Sequence, residues 1–149
     1  MSDRTPILPL ALRALLGGAF LVFGLNGFLG FMPNPPMGPE AGAFMGALAA
    51  TGYMFPLIKG FEVIAGGMIL AGFRVPLALL FLAPILVNIL AFHLALAPAG
   101  SGLVLALVAA EIGLAWLYRD AWRGVLGSVQ PRGAALQARG QGSPATSMA

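Results

Sequence analysis

The sequence predicts an all-α fold, an integral membrane four-helix bundle with a short interfacial or re-entrant helix between its first and second spans. Three observations carry this. Hydrophobic residues make up 59% of the chain and charged residues only 9%, far from the balance of a soluble domain. Mean hydropathy is +0.92. The 149 residues fall into apolar stretches near the length of about 20 residues that crosses a hydrocarbon core, and Pro- and Gly-rich breaks separate them.

The first span is expected over residues 7–32, interrupted only by Arg13, whose apolar stem can lie in the membrane while its head reaches the interface. The stretch is too long for a signal peptide and no small-residue cleavage site follows it, so it reads as a retained helix. Met32-Pro33-Asn34-Pro35-Pro36-Met37-Gly38-Pro39 cannot continue a helix, because proline lacks the amide donor and disfavours helical geometry in the residue before it. The apolar run from Ala41 to Phe73 is too long for one straight span. It divides near Thr51-Gly52-Tyr53 into a short helix over 41–50 and a second span over 53–71. Gly72-Phe73-Arg74 forms the next turn, and a third span follows over 76–96, with a kink expected at Pro84. After the turn at 97–102 comes a fourth span over 103–119, closed by Trp116, Tyr118 and Trp122 as interfacial aromatic anchors. Residues 1–126 thus form the membrane domain, and the Gly-, Pro-, Ser- and Gln-rich residues 127–149 read as a disordered cytoplasmic tail.

Orientation follows from the basic residues. Arg4, Arg13, Arg74, Arg119, Arg123, Arg132 and Arg139 all fall on the side shared by both termini and the turn between spans two and three. The other connections hold no Lys or Arg, so both termini are expected in the cytoplasm. The net charge of +3 comes from eight unclustered basic residues, which gives no footprint for nucleic acid. The absence of cysteine excludes a dithiol relay, a disulfide, a thiolate metal site or an iron–sulfur cluster carried by this chain alone.

Small residues recur at four-residue spacing in Ala14/Gly18, Gly42/Gly46/Ala50, Gly67/Ala71, Ala91/Ala95 and Ala106/Ala110, which predicts close helix approach in lipid.

Charges inside the spans point to the site, since each costs about 2.5–3.5 kcal/mol at the bilayer centre on insertion scales. Lys59 and Glu62 are neighbours on one helix face and can pair. At about 1.5 Å of rise per residue from the cytoplasmic edge, Glu62, Asn26, Asn88 and Lys59 lie between about 18 and 22 Å deep. Glu111 lies shallower, at about 12 Å, and His93 near the outer surface at about 28 Å. The expected polar layer is therefore Asn26, Lys59, Glu62 and Asn88, with His93 above it. Two readings are open. In one, Lys59 and Glu62 neutralise each other and bond to Asn26 and Asn88; in the other, Glu62 accepts protons or a polar ligand from an outward-open pocket. His93, the single histidine, can hydrogen-bond near the interface, exchange protons or meet a quinone head group; a metal role would need ligands from a partner chain, so no metal site is expected. Glu111 reads as a polar anchor between helices or as a reactive acid.

Gly24-Leu25-Asn26-Gly27-Phe28, the run from Thr51 through Lys59 and Glu62 to Gly67, Arg74-Val75-Pro76, and the run from Ala83 through Pro84 and Asn88 to His93 and Leu94 resemble, in that order, the DoxX-like family of small bacterial membrane proteins. The resemblance covers about residues 12–98. It implies a four-helix fold in the bacterial inner membrane, association with respiratory or redox assemblies, and a polar site made of Asn26, Glu62, Asn88 and His93. Three functions are then expected in order: a non-catalytic accessory subunit of a larger membrane complex that contacts a quinone or lipid head group with its partners; a small-solute carrier or proton pathway using Glu62 and His93; and a structural or assembly protein. No intrinsic cofactor is expected. Partners are membrane lipid and either other membrane subunits or further copies of the chain.

Overall fold

In the computed structural model, which describes residues 7–33 and 35–126, the chain is mostly helical, with no strand among those residues. Its elements are α1 (Ile7–Leu29), α2 (Pro39–Ala50), α3 (Met54–Ala71), α4 (Val75–Ala95), a 3-10 turn at Pro98–Gly100, α5 (Ser101–Leu117) and α6 (Arg119–Leu126). The chain divides into two units, the first ending at Arg119 and the second beginning at Asp120. The expected tail over 127–149 lies outside the described residues.

Each boundary has a local cause. α1 stops at Leu29, three residues before the expected end, because Gly30 turns left-handed at φ +62° and Asn26 binds the departing chain. The Asn26 Oδ1 accepts the Met32 amide at 2.6 Å. α2 begins at Pro39, two residues before the expected 41, since proline suits the first helical turn where no amide donor is required. Between α2 and α3, the Thr51 hydroxyl donates to the Leu48 carbonyl at 2.7 Å and accepts the Met54 amide at 3.1 Å. One side chain thus ends one helix and starts the next. α3 closes with the Phe73 amide on the Met68 carbonyl and the Gly72 amide on Ile69, a Schellman pair with Gly72 left-handed at φ +70°. α4 runs through Pro84 without interruption. The expected turn over 97–102 is shorter than predicted, and α5 covers 101–117 rather than 103–119.

Four helices are long and apolar enough to cross a membrane, ending at Leu29, Ala71, Ala95 and Leu117. α1 packs on α3 and α5, and α4 packs on the same two, so the spans close into a ring. Leu16, Phe20, Ala65, Ile69, Leu82, Leu86, Leu107 and Leu114 fill its centre. The outside is as apolar as the inside: Val87, Ile112 and Ile64 are at least 60% exposed, a distribution that only lipid tolerates. The chain is an all-α membrane bundle.

The tightest seam is α1 against α3. The contacts run antiparallel: Arg13 meets Ile69 and Leu70, Gly17 meets Gly66, Gly24 meets Val63, and Gly27 meets Lys59. A Cβ on Gly66 would lie 2.6 Å from the Leu21 amide nitrogen and 2.9 Å from the Gly17 carbonyl oxygen, so backbone touches backbone there. This corrects the expected pattern. Gly18 and Gly67, the glycines that the four-residue repeats place on α1 and α3, have nothing near their missing side chains. The seam uses the other member of each Gly-Gly dipeptide.

Candidate functional site

Lys59 and Glu62 stand on the α3 face that meets α1. The Lys59 Nζ lies 2.8 Å from the Glu62 Oε2, with side-chain exposures of 21% and 3%. Glycines on α1 make room for both. A Cβ at Gly24 would be 3.0 Å from the Glu62 Cβ, and one at Gly27 would run into the Lys59 stem. The carboxylate is therefore sealed between α1 and α3, while the lysine leads outward past Gly27.

The asparagines do not complete this pair. Asn26 spends its carboxamide on the end of its own helix, accepting from the Met32 amide and donating to the Met32 carbonyl at 3.4 Å. Asn26 stands level with the pair, between Gly24 and Gly27, but turns to its own helix end, because a helix end leaves backbone groups unpaired and a nearby carboxamide satisfies them. Asn88 is exposed, on the outer surface of α4, and makes no side-chain hydrogen bond among the described residues. It opens onto a groove of about 430 Å³ bordered by Phe44, Pro84, Val87, Ala91 and Phe92. Phe44 of α2 reaches Phe92 there, ring centres 5.5 Å apart.

His93 is engaged elsewhere again. Its Nδ1 donates to the Ile89 carbonyl at 2.9 Å, its ring meets the Phe92 ring edge-on at 5.3 Å, and its Nε2 lies against Gly100, where a Cβ would strike it. This fastens the turn between α4 and α5. Glu62 and His93 thus each have their own partner, and no chain of hydrogen bonds joins them among the described residues.

Glu111 holds one buried oxygen, Oε1, without a hydrogen-bond partner among the described residues, as does the Ser101 hydroxyl. At the C-terminal end of α5, Trp116 is 69% exposed with the Arg119 guanidinium 5.6 Å over its ring. Tyr118 beside it is partly exposed, and Trp122 is a partly exposed residue of α6 in the second unit. Among the described residues no three His, Cys, Asp or Glu gather as metal ligands.

One participant escaped sequence reasoning. Arg13 does not simply extend to the interface; its Nε donates to the Ile69 carbonyl at 2.8 Å and an Nη to the Leu70 carbonyl at 2.7 Å. A cation at the end of α3 adds a second bond to the Ile69 carbonyl, which already accepts the Gly72 amide, supplies one to the Leu70 carbonyl, and opposes the negative helix terminus. The signal was present in outline, since Arg13 and Ala71 lie at one depth, but nothing local names the acceptor.

A quinone head group presents carbonyls at opposite ends of its ring, and among the described residues the only polar side chain bordering the groove is that of Asn88. A lone carboxamide leaves the second carbonyl without a partner, so the groove by itself does not fit a quinone. Comparison with family models, curated proteins and solved structures finds no match to this chain.

Proposed function

We propose that the chain is a non-catalytic accessory subunit of a membrane assembly, oriented in the bacterial inner membrane with both termini in the cytoplasm. The supporting observation is Asn88. Every other polar side chain singled out in the first three spans is occupied internally: Arg13 on α3, Asn26 on Met32, Lys59 on Glu62 and His93 on Ile89. Asn88 alone faces outward from an apolar helix with its donors and acceptor unused among the described residues. Hydrocarbon cannot satisfy a carboxamide, so the group favours a protein neighbour that can. The resemblance to DoxX-like proteins directs the choice of assembly toward a respiratory or redox complex.

The test is purification from native membranes in a mild detergent. The wild-type chain should migrate as part of a larger species, and Asn88→Leu should release it. Migration of both forms as the bare monomer would overturn the reading. Reporter fusions that put either terminus outside would overturn the orientation, which rests on Arg13, Arg74 and Arg119 sharing one side.

A further inference from the structure

Resting on the reading of Asn88 as a docking residue, we propose that its partner is a second copy of this chain, paired in parallel through α4. The core side of α4 is set by Val75, Ala78, Leu79, Leu82 and Leu86. At 100° per residue, Pro84, Asn88, Ala91 and Ala95 then point within about 45° of the opposite direction, away from the four-span core and along the floor of the groove that Phe44 of α2 borders on one side. The residues on that line are Pro84, Asn88, Ala91 and Ala95, all exposed and spaced by four, three and four, with Leu80, Val87 and Leu94 exposed along one flank and Phe81 turned onto Phe61 of α3, ring centres 5.6 Å apart. That alternation is the seam of a parallel two-helix coiled coil, and it puts Asn88 at the position where a single asparagine selects a parallel pair in register.

The membrane strengthens the identification. Copies inserted the same way round and related by a two-fold axis along the membrane normal bring each α4 residue to the depth of its own counterpart. Asn88 then faces Asn88. A carboxamide both donates and accepts, so it complements itself, whereas two lysines or two glutamates at that place would repel. Ala91 and Ala95, with single methyl groups, allow the backbones above the asparagine to approach closely. The other outward faces lack this combination: the exposed side of α5 around Leu105 and Ile112 has no polar group to match.

Because the chain has no cysteine, one introduced thiol is unique. Ala91→Cys is placed in the full-length protein in native membranes and oxidised with copper–phenanthroline, with Ile112→Cys, 65% exposed on α5, as the control. The expected result is a disulfide-linked dimer at position 91 and none at 112. Adding Asn88→Leu should weaken dimerisation by about threefold to thirtyfold, the range measured for hydrogen bonds between membrane helices. An undiminished dimer in that double variant would overturn pairing through Asn88. A benzophenone attached to the thiol of the Ala91→Cys variant separates the remaining outcomes. Adducts with a different protein and no self-dimer overturn the second copy and leave the docking reading intact; adducts with lipid alone overturn both.

Discussion

The Lys59 ammonium lies 2.8 Å from the Glu62 carboxylate, yet the two are unequally buried, the lysine side chain 21% exposed and the glutamate 3%. A charge with an outward path can relocate when its partner goes, and a sealed one cannot. Lys59→Met should therefore cost about 3 kcal/mol, at the lower end of losses from breaking a buried pair, and Glu62→Gln about 1 kcal/mol. Thermal unfolding in detergent measures both. Equal losses would show that the lysine is as trapped as the glutamate.

Adjacent glycines on α3 give a sharp contrast. Gly66→Ala pushes a methyl group into the Leu21 and Gly17 backbone and should cost about 1–3 kcal/mol, as overpacking does where the neighbours cannot swing aside. Gly67→Ala meets nothing and should leave stability unchanged or slightly raised. If unfolding of the two variants coincides, the α1/α3 seam is not where the glycine contacts put it.

Arg13 ties the start of α1 to the end of α3. Arg13→Ala should lose about 1–2 kcal/mol, and Arg13→Lys roughly half of that, since an ammonium cannot span two carbonyls as a guanidinium does. Gly72→Ala should mimic the loss, because its methyl would collide with the Arg13 guanidinium and its left-handed φ of +70° suits glycine. Hydrogen exchange at the amides of α3's last turn would locate the effect.

Glu111 should behave in the opposite sense to Glu62. Its buried Oε1 lacks a partner among the described residues, so Glu111→Met removes an unsatisfied oxygen and should raise stability by about 1–2 kcal/mol. A marked loss on the same unfolding assay would reveal a bond to Glu111 that the bundle does not supply.

Much of the architecture was legible in the residues. Proline marks the break between Pro33 and Pro39 because it lacks the amide donor that continues a helix, and Gly52 and Gly72 mark theirs because glycine takes a left-handed φ without cost; the span ends fall within about three residues of expectation. The Lys59–Glu62 pair was legible for the same local reason, three residues being close to one helical turn. The rest of the polar layer was not. Depth places Asn26, Glu62 and Asn88 together, but depth is one coordinate, and the rotation of each helix decides where a side chain points.

Composition and spacing alone determine that this chain is an all-α membrane bundle, where it turns, and which charges lie within it, because hydropathy and backbone preference act residue by residue. The tertiary structure decides which glycine of Gly17-Gly18 and Gly66-Gly67 forms the seam, that Arg13 caps α3, and that Asn88 faces outward. Those outcomes depend on helix rotation, set by the packing of the whole ring. In a chain apolar on every side, no hydrophobic stripe announces that rotation in advance.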